Sequence, residues 1–326
     1  MPIQENISSQ RVALGLSGGV DSALAAHLLQ KQEHNVTAVY LECWNQPGCR
    51  AEQDRQDALK VALQLDIPFK VLDFKQEYQN QVMVYFVKEY QAGRTPNPDV
   101  LCNQVVKFGL FYDWAKKEGF DAIATGHYAQ IGPCSLKNQS LEPALLSAVD
   151  LHKDQTYFLH QIKQKQLKHV LFPIGHLTKK QVRQKAKQLE LPVWDKKDSV
   201  GICFVGEINV AQFLKKKLGE NPGEVVDENG NVVGEHKGLW FYTLGQRKGF
   251  RVKTKAVAQK TNLVGDGDNL PPLYVIGKKP DQNQLVIGTK PQTKKGQFQV
   301  SNLSWIYPGF SPEGVGLKVR IRHTGE

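Results

Sequence analysis

A short run of small residues joins the first apolar segment of the chain to its first helical segment. The apolar run is Arg11–Leu16, and a helical pattern of apolar positions occupies Asp21–Lys31. Between a strand and a helix, glycine and serine let backbone N–H groups and the helix N-terminus surround a phosphate. The residues predicted to form this loop are Gly15, Leu16, Ser17, Gly18, Gly19, Val20, Asp21 and Ser22. A plain capped turn is the simpler reading, but the complete S-G-G-x-D-S string is more specific than its glycines.

The loop excludes two other nucleotide motifs. A Walker A loop needs Gly and Lys where this chain has Val20 and Asp21, and the G-x-G-x-x-G spacing of dinucleotide sites is absent. What remains is a loop for a pyrophosphate group, with Asp21 placed to help hold Mg²⁺.

Strands and helices alternate through the first half of the chain. The further predicted strands are Val36–Leu41, Phe69–Phe74 and Asp121–Thr125, and the further predicted helices are Arg50–Leu65, Gln76–Gln91 and Asn103–Gly119. Such alternation is typical of an α/β fold with a parallel sheet. We therefore expect a nucleotide-binding catalytic domain over residues 1–208.

Beyond Gly206 the composition favours short strands and turns. The predicted β-rich pieces are Gly238–Thr243, Leu273–Ile276, Leu285–Ile287 and Gly316–Ile321. We expect a small central β domain over residues 209–282 and a C-terminal β-barrel domain over residues 283–326.

Charge and hydropathy limit the partners. The formal net charge is +10, and residues 151–220 carry 14 Lys and Arg against 6 Asp and Glu. This excess fits a polyanion partner, and it fits equally a solvated lysine-rich helix face. No apolar run is long enough for a membrane span, and the N-terminus has no secretory pattern, so a cytoplasmic protein without a membrane partner is expected.

Two of the five cysteines stand in informative contexts. The count is odd and no C-x-x-C pair occurs, so neither a zinc site nor a disulfide scaffold is indicated. Cys102 follows a proline-stiffened turn and precedes a predicted helix, whose N-terminus would lower its pKa. Asp99, three residues earlier, could exchange protons with the same reacting centre. Cys203 alone has the apolar neighbours of a core residue, but two such thiols could form a transient disulfide.

Six strings carry a resemblance to a known family. In chain order they are S-G-G-V-D-S, T-P-N-P-D-V-L-C-N, A-T-G-H-Y-A, K-D-Q-T-Y-F-L, D-S-V-G-I-C-F and G-L-W-F-Y-T-L-G-Q-R-K-G. Together they resemble the bacterial tRNA-specific 2-thiouridylases of the ATP pyrophosphatase superfamily. The resemblance runs from about Arg11 to the end of the chain.

The resemblance implies a fold, a reaction and a set of partners. The fold is an adenine nucleotide alpha hydrolase-like domain followed by β domains. ATP and Mg²⁺ would serve to adenylate O2 of the wobble uridine, and sulfur would then replace the oxygen. The tRNAs would be those with glutamate, glutamine and lysine anticodons. The sulfur would come from a sulfur-relay protein or a cysteine desulfurase.

The resemblance also assigns residue roles. Cys203 would carry the persulfide, Cys102 would attack it, and Asp99 would act as general acid or base. Leu41 and Gly126 would join the loop in holding ATP. The residues implied to contact the target base or the tRNA are Asn97, Pro98, Asp99, Lys153, Asp154, Gln155, Arg320 and Ile321.

The chain departs from the family pattern at three places. Val200 stands where threonine is usual, and Ile321 stands where an aromatic residue is common. The family barrel also has further strands, so the C-terminal barrel is expected to be incomplete.

Three other functions stay open at this point. An enzyme that adenylates a different substrate would explain the loop but not the two thiols. A tRNA-binding protein with an inactive nucleotide domain would tolerate loss of Cys203. An iron–sulfur cluster held by Asp99, Cys102 and Cys203 would reveal itself by iron content and a visible absorption band.

Overall fold

The computed structural model divides the chain into two compact units. It describes residues 9–45, 49–135, 141–198, 201, 203–205, 209–252, 272–289, 299–307, 310 and 312–321. The first unit comprises the described residues of Met1–Val82, Pro98–Glu207 and Leu303–Glu326, and the second those of Met83–Asn97 and Ile208–Asn302.

The first unit contains seven strands among its described residues. They are β1 Arg11–Gly15, β2 Asn35–Glu42, β3 Phe69–Asp73, β4 Ala122–Thr125, β5 Gln130–Ser135, β6 Leu141–Leu146 and β7 Val170–Leu171. Five of them form one sheet in the order β3-β2-β1-β4-β7, and every pairing in it is parallel. The predicted parallel sheet is therefore confirmed.

Helices of the first unit follow the strands along the chain. They are α1 Val20–Lys31, α2 Ala51–Gln64, α3 Lys75–Glu77, α5 Pro98–Cys102, α6 Phe111–Lys117, α7 Thr156–Leu159, α8 Gln164–Leu167 and α9 Lys179–Gln188, with α4 Val84–Gln91 lying in the second unit. Two further segments, Tyr78–Met83 and Asn103–Leu110, are π-helical. The helix predicted over residues 76–91 begins two residues before the first π-helical segment. The helix predicted over residues 103–119 begins with the second.

The core of the first unit lies between the sheet and its helices. Val12 and Leu14 of β1 pack with Leu24 of α1, Val61 of α2 and Val182 of α9, and all five are almost completely buried. An apolar run such as β1 is expected to be buried in a parallel sheet because helices cover its faces.

The second unit is built around a mixed sheet, which has both antiparallel and parallel strand pairings. Its strands are β8 Gly223–Val226, β9 Val232–His236, β10 Arg251–Val252, β11 Leu273–Lys279 and β12 Gln284–Thr289, in the order β10-β9-β8-β12-β11. Helix α10 Val210–Leu218 precedes it. The boundary predicted between residues 282 and 283 falls in the turn of the β11–β12 hairpin, so strands on either side of it share one sheet.

Two predicted strands are wrong. Residues Leu239–Phe241 form a 3₁₀ helix with Leu239 and Tyr242 buried three positions apart, which is helical spacing rather than strand alternation. Residues 316–321 are exposed and form no strand. Since the described residues offer them no strand partner, an isolated strand there would leave its backbone groups unpaired.

The β5–β6 hairpin and the short strand β7 were not predicted. Pro133 and Pro143 lie directly opposite each other in the hairpin, and prolines within a run argue against a strand. Across the described ranges, no helix has both the length and the apolar character that a membrane crossing requires.

Two leucines test the position of the core. Leu14→Ala should lower the free energy of unfolding by about 2–5 kcal/mol, because a fully buried side chain in the central strand leaves a cavity. Leu63→Ala, the same change at a side chain 71% exposed on α2, should change it by less than about 0.5 kcal/mol. Urea unfolding followed by circular dichroism measures both, and equal losses would contradict the assignment of β1 to the core.

Candidate active site

The residues predicted to bind the nucleotide meet at one edge of the sheet. Gly15 ends β1, Leu41 lies near the end of β2, and Gly126 follows the last residue of β4. Strands β2, β1 and β4 are neighbours, and all are parallel. Ligands of open α/β sheets bind outside the carboxyl ends of the strands, where the order of connection reverses.

The loop itself is held in shape by close contacts. The Ser17 backbone N–H donates to Ser22 Oγ at 3.2 Å, and the Ser22 hydroxyl donates to the Gly19 carbonyl at 3.1 Å. Gly18 has φ +72°, in the left-handed region that favours glycine. A Cβ at Gly126 would lie 2.6 Å from the Ser22 nitrogen, so the chain after β4 packs directly on the start of α1.

Lysines missed in the sequence analysis surround this loop. Lys179 Nζ donates to both carboxylate oxygens of Asp21 at 2.8 Å, and the Tyr128 hydroxyl donates to Asp21 Oδ1 at 2.8 Å. Lys179 also pairs with Asp198 at 2.8 Å. The ammonium of Lys179 therefore joins the loop to the segment that leads toward Cys203.

Lys196 holds the other side of the loop. Its ammonium donates to the Gly18 carbonyl at 2.8 Å and pairs with Asp54 at 2.8 Å and Asp57 at 2.6 Å. Lys179 and Lys196 both belong to the basic zone of residues 151–220. Part of the positive charge of this zone therefore balances carboxylates of the same chain. The two interpretations of the zone, a polyanion partner and a solvated helix face, did not predict these ion pairs.

Cys203 is fixed through its backbone. Its N–H donates to Asp99 Oδ1 at 2.9 Å, and its carbonyl accepts from the Tyr78 hydroxyl at 2.8 Å. Phe204 beside it packs edge-on against Tyr78, with ring centroids 6.1 Å apart, and has φ +65°. A left-handed phenylalanine is strained, and such strain persists only where surrounding contacts hold it.

The thiols of Cys102 and Cys203 are neighbours that shift each other's pKa. A hydrogen bond from Cys102 lowers the pKa of Cys203 to about 7, helped by the attraction of Lys107 and opposed by burial. Burial and the proximity of Cys203 raise the pKa of Cys102. Of the two thiols, Cys203 is therefore the more acidic.

The expectation that a helix N-terminus lowers the pKa of Cys102 is wrong. Helix α5 already begins at Pro98, and Cys102 has helical φ −59° and ψ −45°, so the chain runs on into the π-helical segment Asn103–Leu110 without a break. Proline suits the first position of a helix, because it lacks the N–H that would be unpaired there. Cys102 thus sits inside a helical run, away from the positive end of the dipole, and is completely buried.

Lys107 is a second functional side chain that the sequence analysis missed. It lies on the π-helical segment, its charge lowers the pKa of Cys203, and its ammonium is 3.4 Å from His127 Nε2. The available signal was a single cation in the otherwise apolar string V-V-K-F, five residues after Cys102. His127, read as a packed histidine when taken alone, is indeed buried, with Nδ1 2.8 Å from Thr125 Oγ1.

The residues implied to contact tRNA have varied surroundings. Asp154 is completely buried and accepts from the Ala148 N–H at 2.7 Å and from Arg320 at 2.9 Å. Gln155 accepts from the Tyr128 N–H at 2.9 Å, and Lys153 pairs with Asp198 at 2.7 Å. Ile321 is 59% exposed. Asp154 and Gln155 thus have structural contacts, whereas Lys153 and Arg320 stay partly accessible.

Three of the implied residues surround the start of α5. Pro98 is buried, Asp99 is half-buried and bonded to Cys203, and Asn97 directly precedes them. The structure therefore brings Asp99, Cys102 and Cys203 together, although Asp99 and Cys203 lie 104 residues apart.

Selective alkylation tests the assigned ionisation. With iodoacetamide, the rate at Cys203 should rise with pH and reach half its maximum near pH 7, because only the thiolate reacts. Cys102→Ala removes the hydrogen-bond donor and should move this midpoint upward, while Cys49→Ser should leave it unchanged. Peptide mass spectrometry resolves the sites, and an unshifted midpoint in Cys102→Ala would refute the thiol–thiol bond.

Comparison with known proteins identifies the family of this chain. A family model described as tRNA methyl transferase HUP domain matches residues 10–207, and one described as tRNA methyl transferase PRC-barrel domain matches residues 211–289. The U34-tRNA thiolase NcsA of Methanococcus maripaludis, solved with its [4Fe-4S] cluster, is similar at a TM-score of 0.40 and 19% identity, over 66% of this chain and 70% of that one. That similarity is too low to support an argument about function.

Relatives of known name are much more similar. The tRNA-specific 2-thiouridylase MnmA of Listeria monocytogenes is 44% identical over 86% of this chain and 72% of the relative. The protein of the same name from Nitrosomonas europaea is 42% identical over 98% of this chain and 86% of the relative. The chain therefore belongs to the family of tRNA-specific 2-thiouridylases.

Proposed function

We propose that this protein is a cytoplasmic tRNA-specific 2-thiouridylase that uses ATP to replace O2 of the wobble uridine with sulfur. The observation that carries the proposal is that Asp99, on the same helix as Cys102, accepts a hydrogen bond from the Cys203 N–H at 2.9 Å and so brings the two cysteines together. Neither thiol has a role in an enzyme that only adenylates, and a protein that only binds tRNA needs neither.

The first step takes place at the loop after β1. O2 of the uracil attacks the α-phosphorus of ATP, an O–P bond forms, and pyrophosphate leaves. The backbone N–H groups of residues 17–22 and the N-terminus of α1 bind and orient the phosphates. Leu41 and Gly126, at the ends of neighbouring strands, hold the adenosine.

Mg²⁺ would be held by Asp21 together with phosphate oxygens. One or two carboxylates and the substrate phosphates are the usual protein site for this ion. In the described residues, no group of three or more His, Cys, Asp or Glu side chains is arranged to hold a metal. The single carboxylate of Asp21 matches the one or two that such a site uses.

The second step transfers sulfur. The Cys203 thiol, whose pKa is lowered, attacks the outer sulfur of a persulfide on a relay protein or a cysteine desulfurase; the S–S bond of the donor breaks, the donor thiol leaves, and Cys203 carries the persulfide. Cys102 then attacks Cys203 Sγ: a Cys102–Cys203 disulfide forms, and the terminal sulfur leaves as hydrosulfide. The hydrosulfide attacks C2 of the adenylated base, a C–S bond forms, and AMP departs with the oxygen. A dithiol reductant restores the two thiols.

Asp99 serves as the general acid or base of this step, with Asn97 and Pro98 beside it at the target base. A base in an anticodon loop can leave its stack to reach such a pocket at modest cost. We assign tRNA contacts to Lys153, Asp154, Gln155, Arg320 and Ile321. The tRNAs are those with glutamate, glutamine and lysine anticodons.

The reaction can be tested with purified components. Protein, ATP, Mg²⁺, a sulfur source and tRNA with a glutamate anticodon should give AMP and 2-thiouridine, read by mass spectrometry. Cys102→Ala and Cys203→Ala should each reduce thiolation to less than about 1% of the wild-type rate, because each removes a sulfur nucleophile. Asp21→Ala should suppress AMP formation. Cys49→Ser, a half-buried thiol without an assigned role, is the matched control.

Other outcomes would assign a different chemistry. Full thiolation by either cysteine variant would refute the sulfur path. A methylated rather than a thiolated uridine would instead indicate a methyltransferase, the activity that the description of the family model names. Iron and a visible absorption band after anaerobic purification would favour a cluster.

A further inference from the structure

The ammonium group of Lys107 lies beside the segment that carries Cys203. It is 3.4 Å from His127 Nε2 and 5.6 Å from the centroid of the Phe204 ring, next to Cys203, whose pKa its charge lowers. A cation over an aromatic face is attracted by the ring, but by much less than it would be by an anion. The position of Lys107 is therefore defined by the Cys203 segment on one side and by the end of β4 on the other.

His127 cannot supply the negative charge that Lys107 needs. An ammonium only donates hydrogen bonds, so His127 Nε2 accepts and its proton lies on Nδ1, which donates to Thr125 Oγ1 at 2.8 Å. Burial lowers the pKa of His127, and the charge of Lys107 lowers it further. His127 is thus a neutral acceptor with one defined tautomer.

The remaining groups around Lys107 and Cys203 come from several elements. They are Asp99 and Cys102 on α5, Cys43 after β2, and Tyr78 on the π-helical segment before α4. Burial raises the pKa of Cys43, of Tyr78 and of Cys102, so all three are neutral near pH 7. Asp99 also attracts Lys107, by less than Cys203 and Cys102 do.

Cys203 attracts the charge of Lys107 most strongly. Desolvation alone would lower the pKa of this lysine, but the attraction of Cys203 and then of Cys102 raises it above its ordinary value. An ammonium withdrawn from water is costly unless an anion compensates it. Of the two thiols, Cys203 has the lowered pKa, so it supplies that anion.

We propose that Lys107 is a further residue of the sulfur-transfer site, whose ammonium holds the Cys203 sulfur as an anion. The charge makes Cys203 nucleophilic toward the sulfur donor, and it later stabilises the negative charge of the departing hydrosulfide. The role in catalysis rests on the function proposed above, whereas the ionisation of Cys203 does not.

The ionisation can be measured without ATP, tRNA or a sulfur donor. The pH dependence of Cys203 alkylation is compared in the wild-type protein, Lys107→Met, Lys107→Arg and Lys116→Met. Lys116→Met is the matched control, because it removes an exposed lysine from α6, the next helical segment along the chain. Circular dichroism checks that each variant is folded, and Lys107→Gln replaces Lys107→Met if the latter does not fold.

Loss of the Lys107 charge should raise the pH midpoint of Cys203 alkylation by at least about one unit. The thiolate fraction at pH 7 would then fall from about a half to about a tenth, and alkylation would slow about fivefold. Lys107→Arg should retain most of the wild-type behaviour, and Lys116→Met should retain all of it. An unchanged Cys203 midpoint in the folded, uncharged variant overturns the proposal.

A second readout separates this inference from the proposed function. In a first turnover with tRNA, Lys107→Met should slow thiolation while pyrophosphate forms at the wild-type rate, because Lys107 acts on the thiol and not on the nucleotide loop. If the wild-type protein does not thiolate tRNA, the proposed function fails and the alkylation result still decides the charge assignment. If both steps slow equally, Lys107 acts on the structure of the whole site and the proposal fails.

Discussion

A hydrogen bond between Cys203 and Asp99 joins the two halves of the thiol site. The Cys203 N–H donates to Asp99 Oδ1 at 2.9 Å across 104 residues of sequence, and the Tyr78 hydroxyl binds the carbonyl of the same cysteine at 2.8 Å. With both backbone polar groups of Cys203 engaged, its side chain is held against Cys102. Attack of one sulfur on another requires such positioning, since an oriented pair reacts far faster than two independent groups. Asp99 therefore has a structural task in addition to its proposed part in proton transfer.

Charge in this interior is arranged so that each ionised group has a partner. Cys102 stays neutral and donates, Cys203 ionises and accepts, and Lys107 supplies the positive charge beside them. At the nucleotide loop, Lys179 and Lys196 neutralise carboxylates in the same way. Because water solvates buried charges poorly, removal of one member of an ion pair leaves the charge of its partner without compensation. Asp198 contacts Lys179 and Lys153, so the loop and the segment before Cys203 share one network of ion pairs.

The nucleotide loop was predictable because its geometry follows from local rules. Glycine and serine after a strand define the loop, whereas Leu41 and Gly126 were assigned through the resemblance; they lie at the same edge because parallel strands end there. The thiol half was predictable only through the resemblance of its motifs to a family, since nothing local relates residue 203 to residue 102. Lys179 and Lys196 were missed because ion pairs between distant segments leave no pattern in the sequence, and Lys107 left only the signal of a single cation in an apolar string. The ionisation of Cys102 was misjudged because the prolines were read as ending a turn, whereas Pro98 starts the helix.

The central claim, that Cys102 and Cys203 share one pocket, is tested most directly by disulfide trapping. Mild oxidation with diamide, followed by proteolysis without reductant and mass spectrometry, should yield the Cys102–Cys203 disulfide as the main cross-linked peptide. Asp99→Ala, which removes the acceptor of the Cys203 N–H, should give much less of it. If the folded wild-type protein forms other disulfides but none between these two cysteines, the two sulfurs do not meet and the account is contradicted.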